Sequence, residues 1–109
     1  MKIRLRRDRK SGLLKITIAP ENKALEDFFE TEIQNDLALI DYILARLARD
    51  TGEEMEITGN AFSLILTETD YIISPLFDAD APAATGPRED FLHILGLWRA
   101  RLARDGRKS

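Results

Sequence analysis

The sequence predicts an α+β domain: two layers, a mainly antiparallel sheet of about five strands and two helices on one face, in the order β-β-α-β-β-β-α. Short runs near the start and middle of the chain alternate apolar with polar residues, the period of half-buried strands. Two longer stretches repeat apolar residues at three- and four-residue steps, the period of helices with one buried side. The turns between the strand runs are brief, and brief turns join antiparallel neighbours.

Ile3 and Leu5 alternate with Lys2, Arg4 and Arg6; Leu14, Ile16 and Ile18 alternate with Lys15 and Thr17. Asp8 to Gly12 is turn material with Ser11-Gly12 as the reversal, so these runs form a hairpin. Its outer face collects Lys2, Arg4, Arg6 and Lys15. Pro20 stops the second strand, and Asn22 is the helix N-cap. Leu25, Phe29, Ile33, Leu37, Ile40, Leu44 and Leu47 then mark an amphipathic helix of roughly seven turns. Glu26, Asp27, Glu30 and Glu32 stand near its start and Arg46 and Arg49 near its end, the order the helix dipole favours. Asn35-Asp36 predicts a kink or a break, because both residues are poor in helix interiors.

Thr51-Gly52 ends that helix, and three strands follow at 54–58, 61–67 and 71–76. Gly59-Asn60 suits the first hairpin turn and Thr69-Asp70 the second reversal. Phe62, Leu64 and Leu66 share one face of the middle strand. Residues 74–86 hold proline and glycine and read as an irregular loop. Gly86-Pro87 opens the last helix, with Glu89 and Asp90 in its first turn and Gly106 at its end. Phe91, Ile94, Leu95, Trp98 and Leu102 form its apolar stripe.

At 109 residues the chain is expected to be a single domain, 1–109, with a basic tail from about 105. It has no cysteine, which removes disulfides, thiolate metal sites and cysteine nucleophiles. No apolar run approaches the roughly 20 residues of a membrane helix, and no signal-peptide core follows the charged start. A cytoplasmic protein without membrane partners is expected. The net charge of −3 is uneven: residues 1–10 sum to +5, residues 99–109 to +4, and the middle to −12.

Little of the sequence points to catalysis or metal binding. His93 is the single histidine, with Glu89 one turn before it, a spacing that also describes an ordinary surface pair on a helix. Asp78 and Asp80 open like a calcium loop, but Pro82 and Ala83 stand where that loop needs an oxygen ligand and a glycine. Glu53, Glu54 and Glu56 with Glu26, Asp27 and Glu30 read as solvated faces rather than acid/base pairs. Trp98 is a core residue, and Gly96 beside it suggests a close helix–sheet approach. No cofactor is expected.

The stretches NDLALID (35–41), GNAFSLIL (59–66) and EDFLHILGLWR (89–99) resemble, in that order, the YacL-type small bacterial proteins. The resemblance spans about residues 3 to 102; it implies the element order and a bacterial cytoplasmic origin, and brings no catalytic residues with it. The chain differs in its cationic first strand and in its Pro/Ala-rich loop.

The expected function is a small non-enzymatic interaction module, an adaptor, regulator or immunity-type inhibitor, acting on another protein. Its candidate surface is Lys2, Arg4, Arg6, Lys15, Arg101 and Arg104. A second copy of the chain is an alternative partner. A nucleic-acid-associated protein would use Lys2, Arg4, Arg6, Arg7, Arg9, Arg101, Arg104, Arg107 and Lys108, without a helix-turn-helix or an exposed aromatic pair for stacking bases. The enzymatic alternative places a site around His93.

Overall fold

Strand β1 (Lys2–Arg7) and strand β2 (Leu14–Ala19) pair antiparallel from Lys2 opposite Ala19 to Arg7 opposite Leu14. Their turn closes through Asp8 N–H to the Leu13 carbonyl at 2.9 Å and Gly12 N–H to the Asp8 carbonyl at 2.8 Å. Gly12 sits at φ +73°, a left-handed geometry that costs glycine no Cβ clash. The Asp8 carboxylate takes a 2.7 Å bond from the Ser11 hydroxyl, which holds its pKa below the usual carboxylate value. The chain is seen here in a computed structural model that describes residues 1–48, 54–78 and 80–106.

Asn22 caps helix α1 (Lys23–Phe28), its side-chain oxygen accepting from Leu25 N–H. The helix widens into a π-helical turn (Phe29–Ile33) and stops at Gln34. Asp36 then starts helix α2 (Leu37–Ala48) by accepting from Leu39 N–H at 2.9 Å. The single seven-turn helix is therefore two helices, broken at the dipeptide that predicted it. The break resets the helical phase: Ile40 and Ile43 are buried, whereas Leu37, on the expected stripe, is 44% exposed.

Strands β3 (Met55–Thr58), β4 (Phe62–Leu66), β5 (Asp70–Pro75) and β6 (Ala84–Pro87) form an antiparallel meander in chain order. Strand β6 lies in the segment read as an irregular loop. Its composition is poor for a strand, but pairing with β5 from Asp70 opposite Pro87 to Ile73 opposite Ala84 imposes the extended form. Gly86 faces Tyr71, and a Cβ there would come within 2.6 Å of the Tyr71 ring, so the missing side chain lets the ring lie across the strand. Helix α3 (Arg88–Gly106) follows directly, with Pro87 still the last strand residue.

The fold is α+β in the expected element order, with six strands in two sheets rather than about five in one, among the described residues. The hairpin forms a sheet of its own, and the meander forms the other. Helices α1 and α3 link the sheets: α1 touches β2 and β5, and α3 touches β1, β5 and β6. One apolar cluster joins Leu14, Ile16 and Ile18 to Leu64, Leu66 and Ile73 through helical residues. At its centre Phe29 packs between Phe91 and Trp98, with ring centroids 5.3 and 5.5 Å away. Gly96 does not mark a close approach: nothing lies within 4 Å of where its Cβ would stand, because it is on the solvent side of α3. No helix among the described residues is long and apolar enough to cross a membrane. The helix stop at Thr51-Gly52, and Arg49, Glu53, Arg107 and Lys108, lie outside the described residues.

Candidate interaction surface

Three side chains spaced by four residues stand along β2 in place of a neighbouring strand. Glu26 accepts from Ile18 N–H at 2.8 Å, Glu30 from Ile16 N–H at 2.9 Å, and Gln34 from Leu14 N–H at 2.8 Å. Four residues of α-helix rise about 6 Å, close to the roughly 6.6 Å between alternate strand residues, so the two rows keep step. Four residues of an ideal α-helix also overshoot a full turn by about 40°. The wider π-helical turn between Glu30 and Gln34, closed by Gln34 N–H to the Phe29 carbonyl at 2.8 Å, takes back part of that drift.

Gln34 completes the row with both ends of its amide, since Nε2 also donates to the Leu14 carbonyl at 3.1 Å. Its backbone sits at φ +22°, a region unfavourable for a residue with a Cβ. Every polar atom of Gln34 is bonded: Nε2 donates also to the Glu30 carbonyl, and the Gln34 carbonyl accepts from Trp98 Nε1 at 2.6 Å. These bonds offset the strain of that backbone position. Glu26 and Glu30 are thus structural acceptors for a strand edge, and not the solvated face that their charge suggested.

The arrangement at β2 dictates that of β1. Leu14, Ile16 and Ile18 turn their amides away from β1, so their partners Arg7, Leu5 and Ile3 hold the non-hydrogen-bonded positions and turn their own backbone groups outward. The Leu5 carbonyl accepts from Arg101 Nη1 at 3.3 Å. The N–H groups of Ile3, Leu5 and Arg7 meet no partner among the described residues. Between this edge and α3 runs an open groove of about 300 Å³, with Ile3, Leu5, Leu97 and Ala100 as walls and Arg101 and Arg104 at its rim.

The six candidate cations divide into two groups. Lys2, Arg4 and Arg6 project from the solvent face of β1, are exposed, and make no ion pair among the described residues. They border a shallow depression of about 590 Å³ with Thr17 and Ala19. Lys15 turns back over the edge to Glu30 at 3.4 Å. Arg101 is held by Asp105 at 3.1 Å, and the more exposed Arg104 stands 3.6 Å from the same carboxylate. Asp105 also takes two bonds from Arg7, the shorter 2.6 Å, tying the last helix to the first strand. Hydrogen bonding from Arg7, then from Arg101, keeps the Asp105 carboxyl below its ordinary pKa. The basic end of α3 is therefore largely spent inside the protein, whereas Lys2, Arg4 and Arg6 on the solvent face of β1 make no ion pair among the described residues.

His93 is exposed on α3, and no hydrogen bond joins it to Glu89 among the described residues. Asp78 accepts from Asp80 N–H at 3.2 Å, a local loop contact, and no group of three or more histidine, aspartate or glutamate side chains among the described residues converges as a metal site would require. Glu32, which the sequence marked only as part of an acidic helix start, accepts from Asn60 N–H at 2.8 Å and from Ala61 N–H at 3.3 Å, fixing the β3–β4 turn. Sequence reasoning missed the row of Glu26, Glu30 and Gln34; its signal was the four-residue spacing of acceptors beside a two-residue strand period. No protein family, curated protein or solved structure matches this chain.

Proposed function

We propose that this protein is a small cytoplasmic, non-enzymatic interaction module that docks an acidic surface of another protein on the hairpin. One observation carries the reading: Lys2, Arg4 and Arg6 stand exposed in a row on one strand face with no ion pair among the described residues, although the chain as a whole is acidic. Arg7, Arg99 and Arg101, by contrast, each pair with a carboxylate. A row of unpaired charge steers encounter with a surface of opposite sign and fixes register on contact. Kinship with YacL-type proteins is part of the same proposal, resting on the three short stretches at 35–41, 59–66 and 89–99.

Affinity capture from lysate tests it, with the wild type and with Lys2, Arg4 and Arg6 all changed to Glu, each with and without nuclease. A stoichiometric protein partner that survives nuclease and is lost from the triple variant supports the reading. Capture of nuclease-sensitive material, or a partner equally retained by the variant, overturns it.

A further inference from the structure

The open edge of β1 adds something that a cationic face alone does not have. We infer that β1 takes up an extended acidic segment of a partner protein as a third strand of the hairpin sheet, an inference that rests on the docking function proposed above. The backbone supplies the first requirement: Ile3, Leu5 and Arg7 present outward amides, the set that a neighbouring strand would pair. The Leu5 carbonyl, although bonded to Arg101, has a second lone pair for an incoming N–H. The edge of β2 cannot serve in the same way, because Glu26, Glu30 and Gln34 fill it.

Side chains supply the second requirement. Successive residues of an added strand point to opposite faces. One set would enter the groove walled by Ile3, Leu5, Leu97 and Ala100, where Leu97 is 39% exposed. That set should be apolar. The other set would lie beside Lys2, Arg4 and Arg6, at the spacing of about 4.5–5.5 Å at which opposite charges attract across a sheet. That set should be acidic. The occupant is therefore a segment that alternates apolar and acidic residues. Pairing of β1 with the β1 of a second copy would place this row of cations against itself, which the same distances make unfavourable.

The probe is a capped peptide of about seven residues alternating glutamate and valine, long enough to span β1. Two controls accompany it: an alternating lysine–valine peptide, and the glutamate–valine peptide N-methylated at every second residue along one edge. Binding to the full chain is followed by titration, and amide exchange is read by NMR at Ile3, Leu5 and Arg7. The expected result is slower exchange at those three amides, with binding about tenfold or more weaker for each control, since each loses charge pairing or several strand bonds. Changing Arg4 and Arg6 to Glu should reverse the preference between the two charged peptides. Equal binding by the N-methylated peptide overturns strand addition but leaves charge-driven docking intact. Absence of binding by every peptide at millimolar concentration overturns both. Concentration-dependent self-association that protects the same amides without peptide would make a second copy the occupant, and would also overturn the inference.

Discussion

Replacing Glu30 by Ala removes one rung of the side-chain row along β2, together with the 3.4 Å contact to Lys15. The carboxylate accepts from Ile16 N–H at 2.9 Å, and Ile16 is 4% exposed, so the amide is left without a partner in a place that water reaches poorly. A hydrogen bond to a charged group contributes about 1.5–3 kcal/mol, and stranding a buried donor costs a similar amount. The variant should therefore lose about 1.5–3 kcal/mol of stability. At about 4–8 °C per kcal/mol for a domain near this size, the melting temperature should fall by at least roughly 6 °C. Glu30→Gln keeps an acceptor oxygen and should lose less. Asp27→Ala, on the same helical segment but paired only with exposed Lys23, should change little. Urea melts give the energies, and amide exchange at Ile16 reports the rung directly. If Glu30→Ala melts like Asp27→Ala, or if the Ile16 amide stays protected, the side chain is not doing the work of a strand.

Leu95→Ala, at a fully buried site, should cost about 2–5 kcal/mol by denaturant melts, whereas Leu37→Ala at an exposed site should stay within about 0.5 kcal/mol. Gly96→Ala should stabilise by up to about 1 kcal/mol in the same assay, because open space surrounds the new methyl group; destabilisation would mean that something does approach there. Changing Lys2, Arg4 and Arg6 together to Thr should leave circular dichroism and melting near native and produce self-association in light scattering, since the unguarded edge then tolerates its own copy. Asp105 has a folded pKa below its unfolded value of about 3.9, so its tie to Arg7 contributes stability above that pH, lost as pH falls through the lower folded value. Asp105→Asn should flatten the acid limb of the stability–pH curve in that window, and an unchanged limb would refute the assignment.

Much of this structure was legible residue by residue. The hairpin, the Asn22 cap and the break at Asn35-Asp36 follow from local chemistry, and local chemistry is what a sequence displays. Strand β6 was not legible, because its extended form comes from pairing with β5 and its glycine answers the Tyr71 ring on another strand. The depth of Leu37 was misjudged for a related reason: a stripe continued through a break loses its phase, and only the angle between α1 and α2 restores it. Lys2, Arg4 and Arg6 were placed on a solvent face, but nothing in the sequence separated them from Lys15 and Arg101, whose partners are 15 and 4 residues away respectively. The backbone edge was least visible of all, since its openness depends on which amides of β2 the helix had already taken.

The bond from Trp98 to Gln34 also gives the molecule an internal optical reporter. Trp98 is the single tryptophan, it is fully buried, and its indole N–H rests on the residue whose side chain pins Leu14. Indole emission responds to the polarity around the ring, so light from this one fluorophore senses whether the helix break, and through it the hairpin, is seated. Detachment of β2 with the rest of the core still packed would change that emission before far-ultraviolet dichroism registered any loss of helix. The hairpin's attachment can thus be followed in the unlabelled protein, separately from the unfolding of the whole.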